Sequence, residues 1–216
     1  MKKTITLFTL IALLMLAAAC GGSDKDSGQA SPPPAGPAKP ATNAVDAPLQ
    51  ELAKSVESNP SADGYLNLGN AYSERALFDE AVEAYKKGLA INPNHSAILS
   101  NLGVALYQMG RFNEAKDQFE KALKNNPDDA ATTYLLGATY LQMGNQEKAE
   151  TMFKKALTID PTLPEAHFGL GTLYMLQNKK DLAIKEFETF LAGPPAQDPR
   201  ARSEAERYLK QLKSGQ

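Results

Sequence analysis

Residues 96–129 read SAILSNLGVALYQMGRFNEAKDQFEKALKNNPDD, and the chain repeats this sentence in four variants. Leu102-Gly103 returns at a spacing of 34 as Leu68-Gly69, Leu136-Gly137 and Leu170-Gly171. Ala115 returns as Ala81, Ala149 and Ala183, and the aromatic Phe119 as Tyr85, Phe153 and Phe187. Pro127 returns as Pro93, Pro161 and Pro195. Columns held in register over four copies at this period mark a helical solenoid, whose units bury their apolar faces only against their neighbours. Such an array displays a surface rather than a reaction centre.

Within the quoted copy, the spacing predicts a first helix over Ser96 to Met109 and a second over Asn113 to Asn125. Leu102 and Leu106 share one face of the first. Ala115, Phe119 and Ala122 fall at i, i+4 and i+7 on the second. Gly103 and Ala115 are small because antiparallel helices about 8–10 Å apart leave little room where they cross. Gly110 suits a left-handed helix end, and Asn113 is a candidate cap of the next helix, as are Asp79 and Asp181 in the same register. Pro127 removes a donor and disfavours helix in the residue before it, so the second helix stops there.

These residues resemble the tetratricopeptide repeat family: a bulky residue, Leu-Gly, Tyr, then Ala-x3-Phe and Pro. The first copy supplies Tyr65, Leu68-Gly69, Tyr72, Ala81, Tyr85 and Pro93; the fourth supplies His167, Leu170-Gly171, Tyr174, Ala183, Phe187 and Pro195. Departures are the lack of tryptophan, Gly88 and Phe190 where the family favours alanine, and the Gly-Pro-Pro that closes the last copy. The resemblance implies an all-α, right-handed α-solenoid of four helix hairpins, at 62–95, 96–129, 130–163 and 164–197. An amphipathic half-repeat helix at 48–61 precedes them. A cap helix at 198–216 follows, with Ala201, Ala205, Tyr208 and Leu212 on one face and charge elsewhere, as a terminal repeat needs.

The front of the chain reads differently. Met1-Lys2-Lys3, an apolar run from Ile5 to Leu16 and Ala17-Ala18-Ala19 form an export leader over 1–19. The apolar run is shorter than the roughly 20 residues a membrane span requires. The only cysteine follows, Cys20, and Leu16-Ala-Ala-Ala-Cys20 resembles a bacterial lipobox, which implies a lipidated N-terminal Cys20. The plain alternative is cleavage at Ala17-x-Ala19 that leaves a free thiol. More than one acyl chain makes a stable anchor, at about 0.8 kcal/mol per buried CH2. Gly21 is not the aspartate that retains enterobacterial lipoproteins in the inner membrane, so the expected address is the outer membrane, facing the periplasm. Residues 20–47 are rich in Pro, Gly, Ser and Ala and bury too little to fold, which makes them a tether.

In the resembled family, the first helix of each copy lines a concave face. Carried over, the positions expected to meet a protein or peptide partner are Asn70, Asn101, Tyr107, Tyr134, Leu135, Leu141, Phe168, Thr172 and Met175. The lining runs from amides and acids at the N-terminal end to aromatic and aliphatic side chains at the other. Asn70 and Asn101 stand where some relatives grip a terminal carboxylate, but Leu66, Ala131 and Leu135 replace the cations that grip needs. Tyr134, Phe168, Leu141 and Met175 are the expected apolar anchors.

Catalysis finds no support. His95 and His167 lack ligand-spaced companions, and no phosphate loop, HExxH or nucleophile elbow occurs. His167 takes the bulky opening position of its copy and reads as packing. The chain carries 23 Lys and Arg against 25 Asp and Glu, with no basic patch, which argues against nucleic acid. No cofactor, metal or small-molecule substrate is expected. Lipoproteins of this design in the resembled family assist envelope machines, as pilotins for type IV pilus secretins or scaffolds for peptidoglycan enzymes. The reading is a membrane-anchored adaptor; the rival is a lipoprotein that self-assembles through its apolar groove.

Overall fold

The structure, a computed structural model, describes residues 47–193 and 199–214. The leader, Cys20, the tether up to residue 46 and Pro195 lie outside the described residues. Ten helices and no strand occur among the described residues. A single helix, α1 (Ala47–Ser58), precedes four hairpins: α2 (Ala62–Ser73) with α3 (Phe78–Ile91), α4 (Ser96–Gln108) with α5 (Phe112–Asn125), α6 (Ala130–Gln142) with α7 (Gln146–Ile159), and α8 (Pro164–Leu176) with α9 (Lys180–Ala192). The last helix, α10 (Pro199–Ser214), packs on α9.

The aromatic column is the axis of the core. Tyr85, Phe119, Phe153 and Phe187 are all at most 1 % exposed. Each ring lies on the glycine of its own hairpin: a Cβ at Gly103 would fall 2.6 Å from Phe119 Cε1, and one at Gly171 2.8 Å from Phe187 Cδ1. Phe153 also reaches forward, lying against Gly169 of the next copy and on the Tyr134 ring, 5.6 Å between centroids. One ring thus fastens a hairpin internally and to its successor. At the end of the stack α10 continues the pattern, with Tyr208 tilted on Phe187 at 5.6 Å and Ala205 fully buried.

The turn inside every hairpin is built alike. Ala76, Gly110, Gly144 and Asn178, at one register, all take positive φ, between 55° and 76°. Each is followed by a backbone bond reaching back to the first helix: Leu77 N–H to Tyr72 O, Arg111 to Leu106, Asn145 to Tyr140 and Lys179 to Tyr174. This is a left-handed helix end that satisfies carbonyls otherwise left over. It brings the chain straight into the second helix, so α5 begins at Phe112, one residue earlier than the spacing suggests. Asn113 is therefore not a cap, and neither are Asp79 and Asp181. They lie inside the first turn of α5, α3 and α9, and the cap positions Arg111, Leu77 and Lys179 make no side-chain bond to the helix backbone. The acids Asp79 and Asp181 still suit the positive end of the helix dipole.

First helices are capped better. Ser61 Oγ accepts from Gly64 N–H at 3.0 Å, and Asp129 Oδ1 from Thr132 N–H at 2.9 Å. His95 Nδ1 accepts from Ile98 N–H at 3.4 Å, which leaves the proton on Nε2 to donate to Asp63 Oδ1 at 3.0 Å. In α8, Pro164 opens the helix, where a missing N–H costs nothing.

Candidate functional site

Helices α2, α4, α6 and α8 form one layer and α3, α5, α7 and α9 the other, with sparser contacts between successive first helices than across a hairpin. The second helices are amphipathic, with polar outer faces. The first helices α6 and α8 are apolar almost all round, which a helix sustains only when most of its circumference is covered.

At the N-terminal end of this first layer sits a polar network. Asn70 Oδ1 accepts from Tyr85 Oη at 2.8 Å and from Asn101 Nδ2 at 2.7 Å; Ser73 Oγ lies 3.3 Å from the same hydroxyl. Burial pushes the Tyr85 phenol up to about 12. The amides are thus partly spent on each other: Asn70 keeps its amide hydrogens, and Asn101, 8 % exposed, keeps its carbonyl oxygen. A second link follows. Thr132 Oγ1 donates to Asp129 Oδ2 at 2.9 Å, so the Ser100 hydroxyl, 2.8 Å away, donates to Thr132. Both bonds tie one first helix to the next.

Toward the C-terminal end the lining is apolar. Leu141, Phe168 and Met175 are half-buried, and Leu176 is 49 % exposed. Tyr107 is half-buried with its ring edge-on to Phe112 at 5.3 Å, and its hydroxyl is buried beside Gln142.

Four expected lining residues are not presented at the surface, and Asn101, 8 % exposed and bonded to Asn70, is one of them. Tyr134 is 4 % exposed, stacked on Phe153, and its phenol is held above the usual range by burial; it is core, not an anchor. Leu135 is 5 % exposed and Thr172 9 %, the latter bonded through its hydroxyl to Phe168 O at 3.0 Å. For Tyr134 the cause is Phe153 on the second helix of the same hairpin, which covers the ring. Phe168 keeps an accessible edge but packs edge-on against Phe187 and Phe190, 5.8 and 5.4 Å away. The residues gathered at the open side are Asn70, Tyr107, Leu141, Phe168 and Met175. Leu176, 49 % exposed, joins them.

His167 accounts for itself through Glu186, with Nδ1 to Oε2 at 2.7 Å within its own hairpin. Among the described residues no group of three or more His, Cys, Asp or Glu is placed to hold a metal ion. No helix among them is long and apolar enough to cross a membrane.

The family description that matches is "Tetratricopeptide repeat", over residues 60–126, 95–162 and 140–212. Among solved structures, PilF of Pseudomonas aeruginosa is similar at 23 % identity and TM-score 0.64, over 78 % of this chain and 81 % of that one. A thermophilic TPR protein of Thermus thermophilus is similar at 23 % identity and TM-score 0.65, over 75 % and 89 %. YrrB, described as a TPR protein with an unusual peptide-binding site, is similar at 22 % identity and TM-score 0.57, over 76 % and 87 %. These likenesses speak to the fold. No curated protein matches significantly.

Proposed function

The chain belongs to the tetratricopeptide repeat family, and on that premise we propose that it is a lipid-anchored adaptor of the bacterial envelope that receives a protein partner in its groove. The family is one of protein-interaction scaffolds, and its repeats carry no catalytic signature here. The observation that carries the reading is the asymmetry of the groove. Half-buried Asn70, with its amide hydrogens unspent, stands at one end, and half-buried Leu141, Phe168 and Met175 with exposed Leu176 at the other. A partly apolar peptide or helix matches that lining: its backbone meets Asn70, and its side chains cover the apolar end.

The address rests on the sequence. The leader, Cys20 and Gly21 support an acylated N-terminus in the outer membrane, with the array on a tether in the periplasm. Anchoring makes the partner's capture local, which raises its effective concentration without any new contact.

Two measurements test this. Cys20→Ser is expected to abolish acyl labelling and move the protein from the membrane to the soluble fraction; retention in the membrane without acylation sinks the anchor. A photocrosslinker at exposed Asn67 or Ala97 in the native envelope is expected to trap a discrete partner that the same group at Lys124 on a second helix does not. Met175→Glu should remove that adduct while leaving the melting curve unchanged, and an adduct indifferent to Met175 sinks the groove reading.

Self-association through the apolar end is a second reading, motivated by Leu176 and Leu182, 49 % and 43 % exposed in the last copy. Sedimentation of the acyl-free protein that stays monomeric at all concentrations rules it out.

A further inference from the structure

The hairpin tyrosine at the register of Tyr140 is treated differently in different copies. In the third copy the Tyr140 hydroxyl donates to Glu120 at 2.9 Å, and Lys148 Nζ stands 5.2 Å over its ring. In the fourth, Tyr174 donates to Glu150 at 3.0 Å, and Lys179 Nζ stands 5.6 Å over its ring. Each ring carries a cation from its own chain, with a carboxylate at its hydroxyl.

The first copy places Tyr72 at that register and reverses the charge: Glu80 occupies the position of Lys148. Among the described residues no lysine covers the Tyr72 ring. Instead an open cleft of about 310 Å³ lies between α1, α2 and α3, floored by Tyr65, Leu68 and Tyr72 and flanked by Glu57, Asp79 and Glu80. The Tyr72 phenol is held above the usual range, by burial first and then by Glu80 and Glu57, so the field at the ring is negative. Two charges at the cleft are already committed: Glu83 pairs with Lys86 at 2.8 Å, and Lys87 stands 5.8 Å over Tyr65. Glu57 adds its charge at the last turn of α1, where the helix dipole is also negative.

We propose that this cleft, outside the groove, is a second docking site, which takes a lysine or arginine side chain from a basic segment of a protein partner and seats it on Tyr72 between Glu57 and Glu80. The molecule itself specifies the ligand chemistry, because two of its other copies fill the same place with an ammonium group. An aromatic face with flanking carboxylates favours a cation through both the ring quadrupole and direct attraction. Exposed carboxylates of this kind also set partner choice and approach more than raw affinity.

The full acyl-free protein, with its tyrosine rings labelled with carbon-13, is titrated with the peptide Gly-Ser-Arg-Leu-Arg-Ser-Gly and with its twin carrying glutamine for arginine. The arginine peptide is expected to shift the Tyr72 ring signals, saturably and less at high salt, while the glutamine twin leaves them in place. Glu80→Lys, which copies the third hairpin, should weaken the arginine peptide at least tenfold. The charge-matched Asp128→Lys should bind as the unaltered protein does. Equal binding by Glu80→Lys, equal effect of the two peptides, or an unmoved Tyr72 would falsify the proposal. A Tyr72 shift on Lys25→Gln or Lys39→Gln alone overturns it too, since the cation would then come from the chain's own tether. Met175→Glu should leave this binding intact, so failure of the groove reading and failure of this one are told apart.

Discussion

Ala76 is where a single side chain works against its backbone. It shares the left-handed turn position with Gly110, Gly144 and Asn178 but has neither the freedom of glycine nor the local bonding of asparagine. A non-glycine residue there costs roughly 1–2 kcal/mol, part of which glycine's larger unfolded-state entropy offsets. Ala76→Gly is therefore expected to stabilise the protein by about 0.5–1 kcal/mol, read from urea unfolding; Asn178→Gly should do less. Glu165 gives a second residue-scale expectation. Burial raises its pKa above 4.5, with Asp160 adding to the shift while its own backbone opposes it. A folded-state pKa above the unfolded one means that the favourable contribution is complete below about pH 4.5 and lost as pH rises through the folded value. Glu165→Gln should thus raise Tm at pH 7, with the gain fading below about pH 4. A gain equal at both pH values would mean that charge is not the cause.

Helices were legible in the sequence because their signals are local and repeated four times. Pro93, Pro127 and Pro161 follow the ends of α3, α5 and α7, and Gly110 announces its turn. Ala76 and Asn178 hold the same conformation without a residue that demands it, so their turns could be inferred only from the period. Starts of second helices were misplaced because Asn113, Asp79 and Asp181 look like caps, whereas the turn's own backbone bond fixes where those helices begin. The groove was legible only in part. Helical spacing places Tyr134 on the inner side but does not reveal that Phe153 of the same hairpin covers it. Among elements, α10 has the clearest energetic role: Tyr208 and Ala205 cover Phe187 and the end of the core. Deleting residues 199–216 exposes that end, and is expected to lower Tm and speed amide exchange in α8 and α9 while α4 and α5 are little changed. Uniform loss of protection throughout would show instead that the stack unfolds as a single unit.

At the scale of the molecule, every hairpin packs on its sequence neighbours, so stability is close to a sum of hairpin and nearest-interface contributions. The inner copies are covered on both sides and the outer ones less so. Hydrogen exchange should accordingly be slowest in α5, α6 and α7 and fastest in α1 and α10, in a graded profile. A flat profile would contradict additive stacking.

The ties between successive first helices are unequal along the stack. Asn101 bonds Asn70 across α2 and α4, and Ser100 bonds Thr132 across α4 and α6. Among the described residues no such side-chain bond joins α6 to α8, where apolar surfaces meet instead. Directional bonds hold a spacing, while greasy contacts slide at small cost. The first-helix layer is therefore stiff from α2 to α6 and compliant from α6 to α8, and in the adaptor proposed above a guest is measured at its first few residues and then fitted along the rest.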